Sequence, residues 1–150
     1  MEKLLKQLND AGARYVVIGG QAMRQQGMPR FTLDWDIFVP PFDQENFDKI
    51  NSALADELDM DLEKLDIATG ESFVQTFQTR AGIIQFHLSP PGLPKFAIVE
   101  SRAITCDYNG VPVKYLNLDD LLSSKQAVAR EKDADDILFL TIKKQNSETP

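Results

Sequence analysis

The stretch that decides the fold is Tyr15-Val16-Val17-Ile18-Gly19-Gly20, followed after thirteen residues by Asp34-Trp35-Asp36-Ile37-Phe38-Val39. The first half is a short run of β-forming apolar residues stopped by two glycines, and residues 21–26 then read as a helix closed by Gly27. A strand that ends in glycine and opens a helix lets backbone N–H groups approach a phosphate with no Cβ in the way. A plain turn is the commoner use of such a pair. The second half is a strand over residues 34–39, bounded by Pro40 and Pro41. Alternation puts Asp34 and Asp36 on one face and Trp35 on the other, as a core aromatic. Two neighbouring carboxylates on an otherwise apolar strand repel each other unless water or a divalent cation screens them. Magnesium (Mg2+) suits such a pair, because it accepts one or two carboxylates and completes its shell with substrate phosphates.

Outward from this stretch, the pattern predicts a helix over residues 2–11, with Leu4, Leu5 and Leu8 on one face and Gly12 at its end. Asp43 caps a helix over 44–58 that turns Phe47, Ile50, Leu54 and Leu58 toward the sheet. Residues 59–70 are acidic and weakly patterned and read as a loop with one helical turn. Strands over 73–79 and 83–88 form a hairpin through Arg80-Ala81-Gly82, after which Pro90-Pro91-Gly92-Leu93-Pro94 breaks the pattern. Strands over 103–107 and 111–115 form a second hairpin through Asn109-Gly110. Two helices follow, 118–129 with Leu118, Leu121, Leu122 and Val128 inward, and 133–143 with Ile137, Leu138, Leu140 and Ile142 inward. The expected fold class is α+β, a mixed β-sheet flanked by helices with a helical C-terminus. One domain spans residues 1–143, and 144–150 form a polar, frayed tail.

Composition narrows the function. The chain has 150 residues, 43% of them hydrophobic, enough for one core. Sixteen Lys and Arg stand against 23 Asp and Glu, a formal charge of −7, which argues against an extended nucleic-acid surface but leaves room for a small cationic pocket. Cys106 is the single cysteine, so no disulfide forms within the chain, and an inert thiol in a cytoplasmic protein is expected. Met1-Glu2-Lys3-Leu4 opens an amphipathic pattern unlike a signal peptide, and no apolar run is long enough to span a membrane.

Taken together, Gly19-Gly20, the thirteen-residue spacing and Asp34-Trp35-Asp36-Ile37 resemble the signature of the polymerase beta nucleotidyltransferase superfamily. Arg30-Phe31-Thr32-Leu33-Asp34-Trp35-Asp36 looks like the Arg-x-Thr-x-Asp-x-Asp string of its small bacterial members, the AbiEii-toxin-like and minimal nucleotidyltransferases. Leu118-Asp119-Asp120-Leu121-Leu122, Lys125 and Ala129-Arg130-Glu131-Lys132-Asp133 look like their closing helices. The resemblance implies the nucleotidyltransferase fold and transfer of a nucleoside monophosphate from a nucleoside triphosphate to an acceptor hydroxyl on a protein, an RNA or a small molecule. By the same resemblance, Asp34 and Asp36 bind magnesium and Gly19 and Gly20 hold the triphosphate. Arg30 or Thr32 steadies phosphate or the loop, and Lys125 and Arg130 are further phosphate ligands. The plain alternative for Lys125 and Arg130 is that of solvated surface cations.

Family members that catalyse transfer bring a third carboxylate from a later strand, expected here near Gln85, whose neutral amide takes up no proton. His87, the single histidine, lies two residues on and shares that strand face, as a candidate base or metal ligand. The gap opens an alternative function: a catalytically impaired nucleotide-binding module that acts with a partner protein in a toxin–antitoxin-like pair.

Overall fold

In a computed structural model, which describes residues 1–63 and 74–148, the apolar alternation resolves into a six-stranded sheet flanked by helices. Helix α1 (Glu2–Asp10) buries Leu4, Leu5 and Leu8, and Gly12 turns the chain at φ +73°. Strand β1 (Val16–Ile18) runs directly into helix α2 (Gly19–Gln25), with Gly19 turning the corner at φ +66° and Gly20 in the first helical turn. Strand β2 is Asp34–Phe38 and helix α3 is Gln44–Ala53, capped by Asp43, whose side chain accepts a hydrogen bond from the Asn46 N–H. Strands β3 (Val74–Thr79) and β4 (Gly82–His87) make the first expected hairpin, and β5 (Ile104–Tyr108) and β6 (Val111–Tyr115) make the second. Helix α5 (Leu118–Val128) leads through a 3-10 turn (Glu131–Asp133) into α6 (Ala134–Glu148).

The strand order is β3-β4-β2-β1-β6-β5, with β1 antiparallel to β2 and parallel to β6, and β2 parallel to β4. The mixed α+β sheet expected from the sequence is therefore present. Its register decides the site. Asp36 lies opposite Ile18 on one side and Gln85 on the other, which places Asp34, Asp36, Gln85 and His87 on one face. Trp35, Ile37, Ile84 and Phe86 alternate to the other face, all buried. The buried Trp35 ring meets Tyr108 edge-on at 4.8 Å.

Four expectations are corrected. Helix α3 stops at Ala53, with Leu54 as its C-cap, so the helix is shorter than 44–58. Between the two hairpins lies a helix the pattern missed, α4 (Phe96–Arg102), which follows the Pro-rich break at once. Val128 does not face the core: it is 42% exposed. In α6 only Leu140 of the inward set is fully buried, whereas Leu138 and Ile142 are 59% and 47% exposed, and the helix continues to Glu148 past the expected start of the tail. The loop expected over 59–70 falls mostly outside the described residues. Among those described, no helix is long and apolar enough to cross a membrane.

A polar contact that the pattern did not foretell closes the core. Asn46, 2% exposed at the start of α3, accepts from the Arg14 N–H at 2.6 Å and donates to the Arg14 carbonyl at 3.0 Å. Its amide thus satisfies both backbone groups where α1 hands over to β1. Replacing it by alanine orphans both, and Asn46→Ala is expected to lower the unfolding free energy in urea by about 2–4 kcal/mol.

Burial also pushes up the phenols of all three tyrosines: Tyr15 strongly, Tyr115 to about 12, and Tyr108 in the same direction. A group whose folded form holds its proton longer contributes fully below its ordinary value, here 10, and loses that contribution as pH rises toward the folded value. Stability is accordingly expected to fall between pH 10 and about 12, with phenolate absorbance appearing together with the loss of helical circular dichroism.

Candidate active site

A cleft of about 320 Å3 opens on the polar face of β2 and β4. Every residue singled out from the sequence lines it: Gly19, Gly20, Arg30, Thr32, Asp34, Asp36, His87, Lys125 and Arg130, with Gln85 among them. Four elements and the segments beside them bring these residues together, with Arg30 and Thr32 on the approach to β2. The start of α2 supplies the glycines, β2 and β4 supply the acids, Gln85 and His87, and α5 with the turn after it supplies Lys125 and Arg130.

The glycine pair is required by contact. Gly19 has φ +66°, and a Cβ on it would lie 2.5 Å from Asp36 Oδ2; a Cβ on Gly20 would lie 2.9 Å from Thr32 Oγ1. The strand-to-helix corner therefore rests on the acid-bearing strand with nothing between them. Thr32 also donates to the Asp34 carbonyl at 3.4 Å, which ties the approach to β2 to the same corner.

His87 reaches the acids as the shared face requires: its Nε2 lies 2.8 Å from Asp36 Oδ1. An ionised carboxylate only accepts, so with Asp36 ionised this nitrogen is the donor and is committed to Asp36. The arrangement makes His87 a support of Asp36 and leaves Nδ1 as its other ring nitrogen. Gln85 lines the cleft directly across from Asp36 in the β2–β4 register, the position where a third carboxylate was expected.

Of the two cations with a plain surface alternative, Lys125 is buried, whereas Arg130 is half exposed. Lys125 is 8% exposed, and its Nζ lies 3.0 Å from Asp136 and 3.7 Å from Asp133. Arg30 also pairs with Asp136, and Arg130 binds Asp133 through Nε at 2.9 Å. The two acids are themselves almost fully buried. Arg130 holds the Asp133 carboxyl below its ordinary value, against the effect of burial and with help from Lys125. Removing a partner from one of the buried members of this set, Lys125, Asp133 or Asp136, so that a buried charge is left unpaired, costs about 3–5 kcal/mol, far more than breaking a surface pair. Asp133 and Asp136 lay outside the set chosen from the sequence. The signal available was spacing: Asp133, Asp136 and Leu140 fall three and four residues apart, so both acids share the buried side of the helix.

These residues fit a hard divalent cation of limited protein coordination. The Asp34 carboxylate has no partner among the described residues, and Asp36 Oδ2 is left open beside a glycine that a Cβ would fill. Among the described residues no set of three His, Cys, Asp and Glu side chains is arranged to hold a metal alone, so two carboxylates plus ligand oxygens is the arrangement available.

No protein-family model matches the sequence, and no curated protein does. Solved structures do match. A Thermotoga maritima protein assigned provisionally to the nucleotidyltransferases superposes with a TM-score of 0.67 at 15% identity, over 97% of this chain and 89% of its own. An antigenic nucleotidyltransferase-like protein from Paracoccidioides brasiliensis gives 0.52 at 17% identity, over 91% and 71%. The Helicobacter pylori protein JHP933 gives 0.53 at 19% identity, over 93% and 63%. The fold is thus that of the nucleotidyltransferases, as the resemblance in sequence implied; the AbiEii-like subgroup is a finer assignment than these likenesses carry.

The Gly19 contact is open to a direct test. Gly19→Ala is expected to destabilise the protein by about 1–3 kcal/mol, from the left-handed backbone and the collision with Asp36. Thermal unfolding of this variant beside Gly27→Ala, whose Cβ meets nothing within 4 Å though φ is +100°, separates contact from backbone strain.

Proposed function

We propose that this chain binds a nucleoside triphosphate with magnesium in the cleft and transfers the nucleoside monophosphate to an acceptor hydroxyl. One observation carries the reading: the acid pair, the glycine corner and three cations, far apart in sequence, line a single cleft in a nucleotidyltransferase fold. Asp34 and Asp36 are the residues to hold the metal. Bound there, magnesium supplies neutralisation of the charge on the reacting phosphate and on the pyrophosphate that leaves.

The chain's own residues do the rest. The corner at Gly19 and Gly20 admits phosphate oxygens close to the backbone, and Arg30, Lys125 and Arg130 offset the triphosphate charge. His87 orients Asp36 through Nε2. The acceptor oxygen forms a bond to the α-phosphorus as the bond to pyrophosphate breaks, and the hydroxyl proton leaves to solvent or to a base. Gln85 cannot take it.

That last point supports a second reading. With an amide where Asp36's partner across the strand would be acidic, the cleft suits a module that binds nucleotide and magnesium and acts through a partner protein, as in a toxin–antitoxin-like pair.

Calorimetry with each nucleoside triphosphate, with and without magnesium, is expected to show magnesium-dependent binding that Asp34→Asn and Asp36→Asn each weaken at least about 10-fold. Under the enzyme reading, label from an α-phosphate-labelled triphosphate passes to a component of a cell extract, and Gln85→Asp speeds the transfer by about 100-fold or more. Binding with no transfer, gained only in Gln85→Asp, selects the second reading. No binding to any triphosphate sinks both.

A further inference from the structure

Three of the four cations that line the cleft, the fourth being Lys132, are joined behind it into one alternating chain: Arg30, Asp136, Lys125, Asp133, Arg130. Its inner members are buried, Asp136 and Asp133 at 2% and 1% exposure and Lys125 at 8%, while the guanidiniums at its two ends are partly open. All three cations line the cleft; neither acid does. Three positive charges against two negative leave this chain of ion pairs one net positive charge, in the same cleft that the acid pair and Lys132 line. Arg30 uses only Nη1 on Asp136 among the described contacts, so its remaining N–H groups are free to grip an anion in two-point fashion.

We propose that Asp133 and Asp136 are positioning residues for a polyphosphate: from behind the cleft they hold Arg30, Lys125 and Arg130 toward it, so that the site selects nucleotides by phosphate number. The inference rests on the nucleotide reading above. Burial supplies the reason. A lysine and two arginines left to solvent would spread over many rotamers, whereas shared buried carboxylates fix them before a ligand arrives. The acids also set the rotation of α6. With Asp133, Asp136 and Leu140 inward, Leu138 and Ile142 turn to solvent, an arrangement that apolar burial alone would not favour.

The test is calorimetry of the full chain with ATP, ADP and AMP in magnesium, on wild type, Asp136→Asn, Lys125→Met and the double variant. The wild type is expected to prefer ATP to AMP, Asp136→Asn to bind ATP about 10-fold more weakly with AMP little changed, and the double variant to lose less ATP affinity than the two single losses multiplied, because Asp136 acts through Lys125 and Arg30 together. A merely structural role would lower ATP and AMP binding alike and add in full to the effect of Lys125→Met; either result overturns the proposal. So does ATP binding that is unchanged or tighter in Asp136→Asn, which would make the acids simple neutralisers. If Asp136→Asn does not fold, the double variant, which leaves no lone buried charge, is compared with Lys125→Met: a further loss of ATP affinity with AMP unchanged, from the released Arg30, is expected, and no further loss or an equal loss for both nucleotides overturns the proposal. A wild type that binds ATP and AMP equally overturns phosphate selection while sparing the nucleotide reading. A wild type that binds neither removes that reading itself.

Discussion

The contact between the strand-to-helix corner and the Asp36 carboxylate constrains the rest of the molecule. Because Gly19 sits where a Cβ would meet Asp36 Oδ2 at 2.5 Å, β1 passes into α2 without a linker and α2 lies directly on β1 and β2. The antiparallel register, Ile18 opposite Asp36, follows from that approach and fixes which face of β2 carries the acids. With β4 parallel to β2 on the other side, Gln85 and His87 come to the same face. One glycine without a side chain thus sets the floor of the cleft.

The opposite wall is electrostatic. Helices α5 and α6 pack on each other, and the buried acids at the start of α6 draw Lys125 from α5 and Arg30 from the approach to β2 into one cluster. Few apolar contacts could do this with the same directionality, because a buried charge is tolerated only with its partners in place. The device that seats the C-terminal helices is therefore the same one whose cations line the cleft.

Much of the fold was legible. Short β-rich runs ended by Gly, Asn-Gly and Pro-Pro marked five strands closely and the sixth, β3, up to its first described residue, and the odd-even spacing of Asp34 and Asp36 put them on one face. The misses have physical causes. Helix α4 is one short amphipathic segment behind a proline cluster, too brief for its period to stand out from noise. The outward turn of Leu138 and Ile142 was hidden because periodicity assumes that apolar residues choose the buried side, and in α6 two aspartates chose it. For the same reason the sequence left Lys125 open between a phosphate ligand and a surface cation: its burial depends on acids eight and eleven residues away whose own burial the sequence does not announce.

By itself, the sequence determined the α+β class, the glycine corner, the acid pair with its shared face, and a neutral amide at Gln85, because each is a matter of residue type and short-range spacing. Only the tertiary structure decided what those groups do to one another. His87 spends Nε2 on Asp36, Gly19 is held by contact with a carboxylate, and three cations are organised by two buried acids. Those facts depend on strand register and helix rotation, which are set by long-range packing and charge pairing that no local window contains.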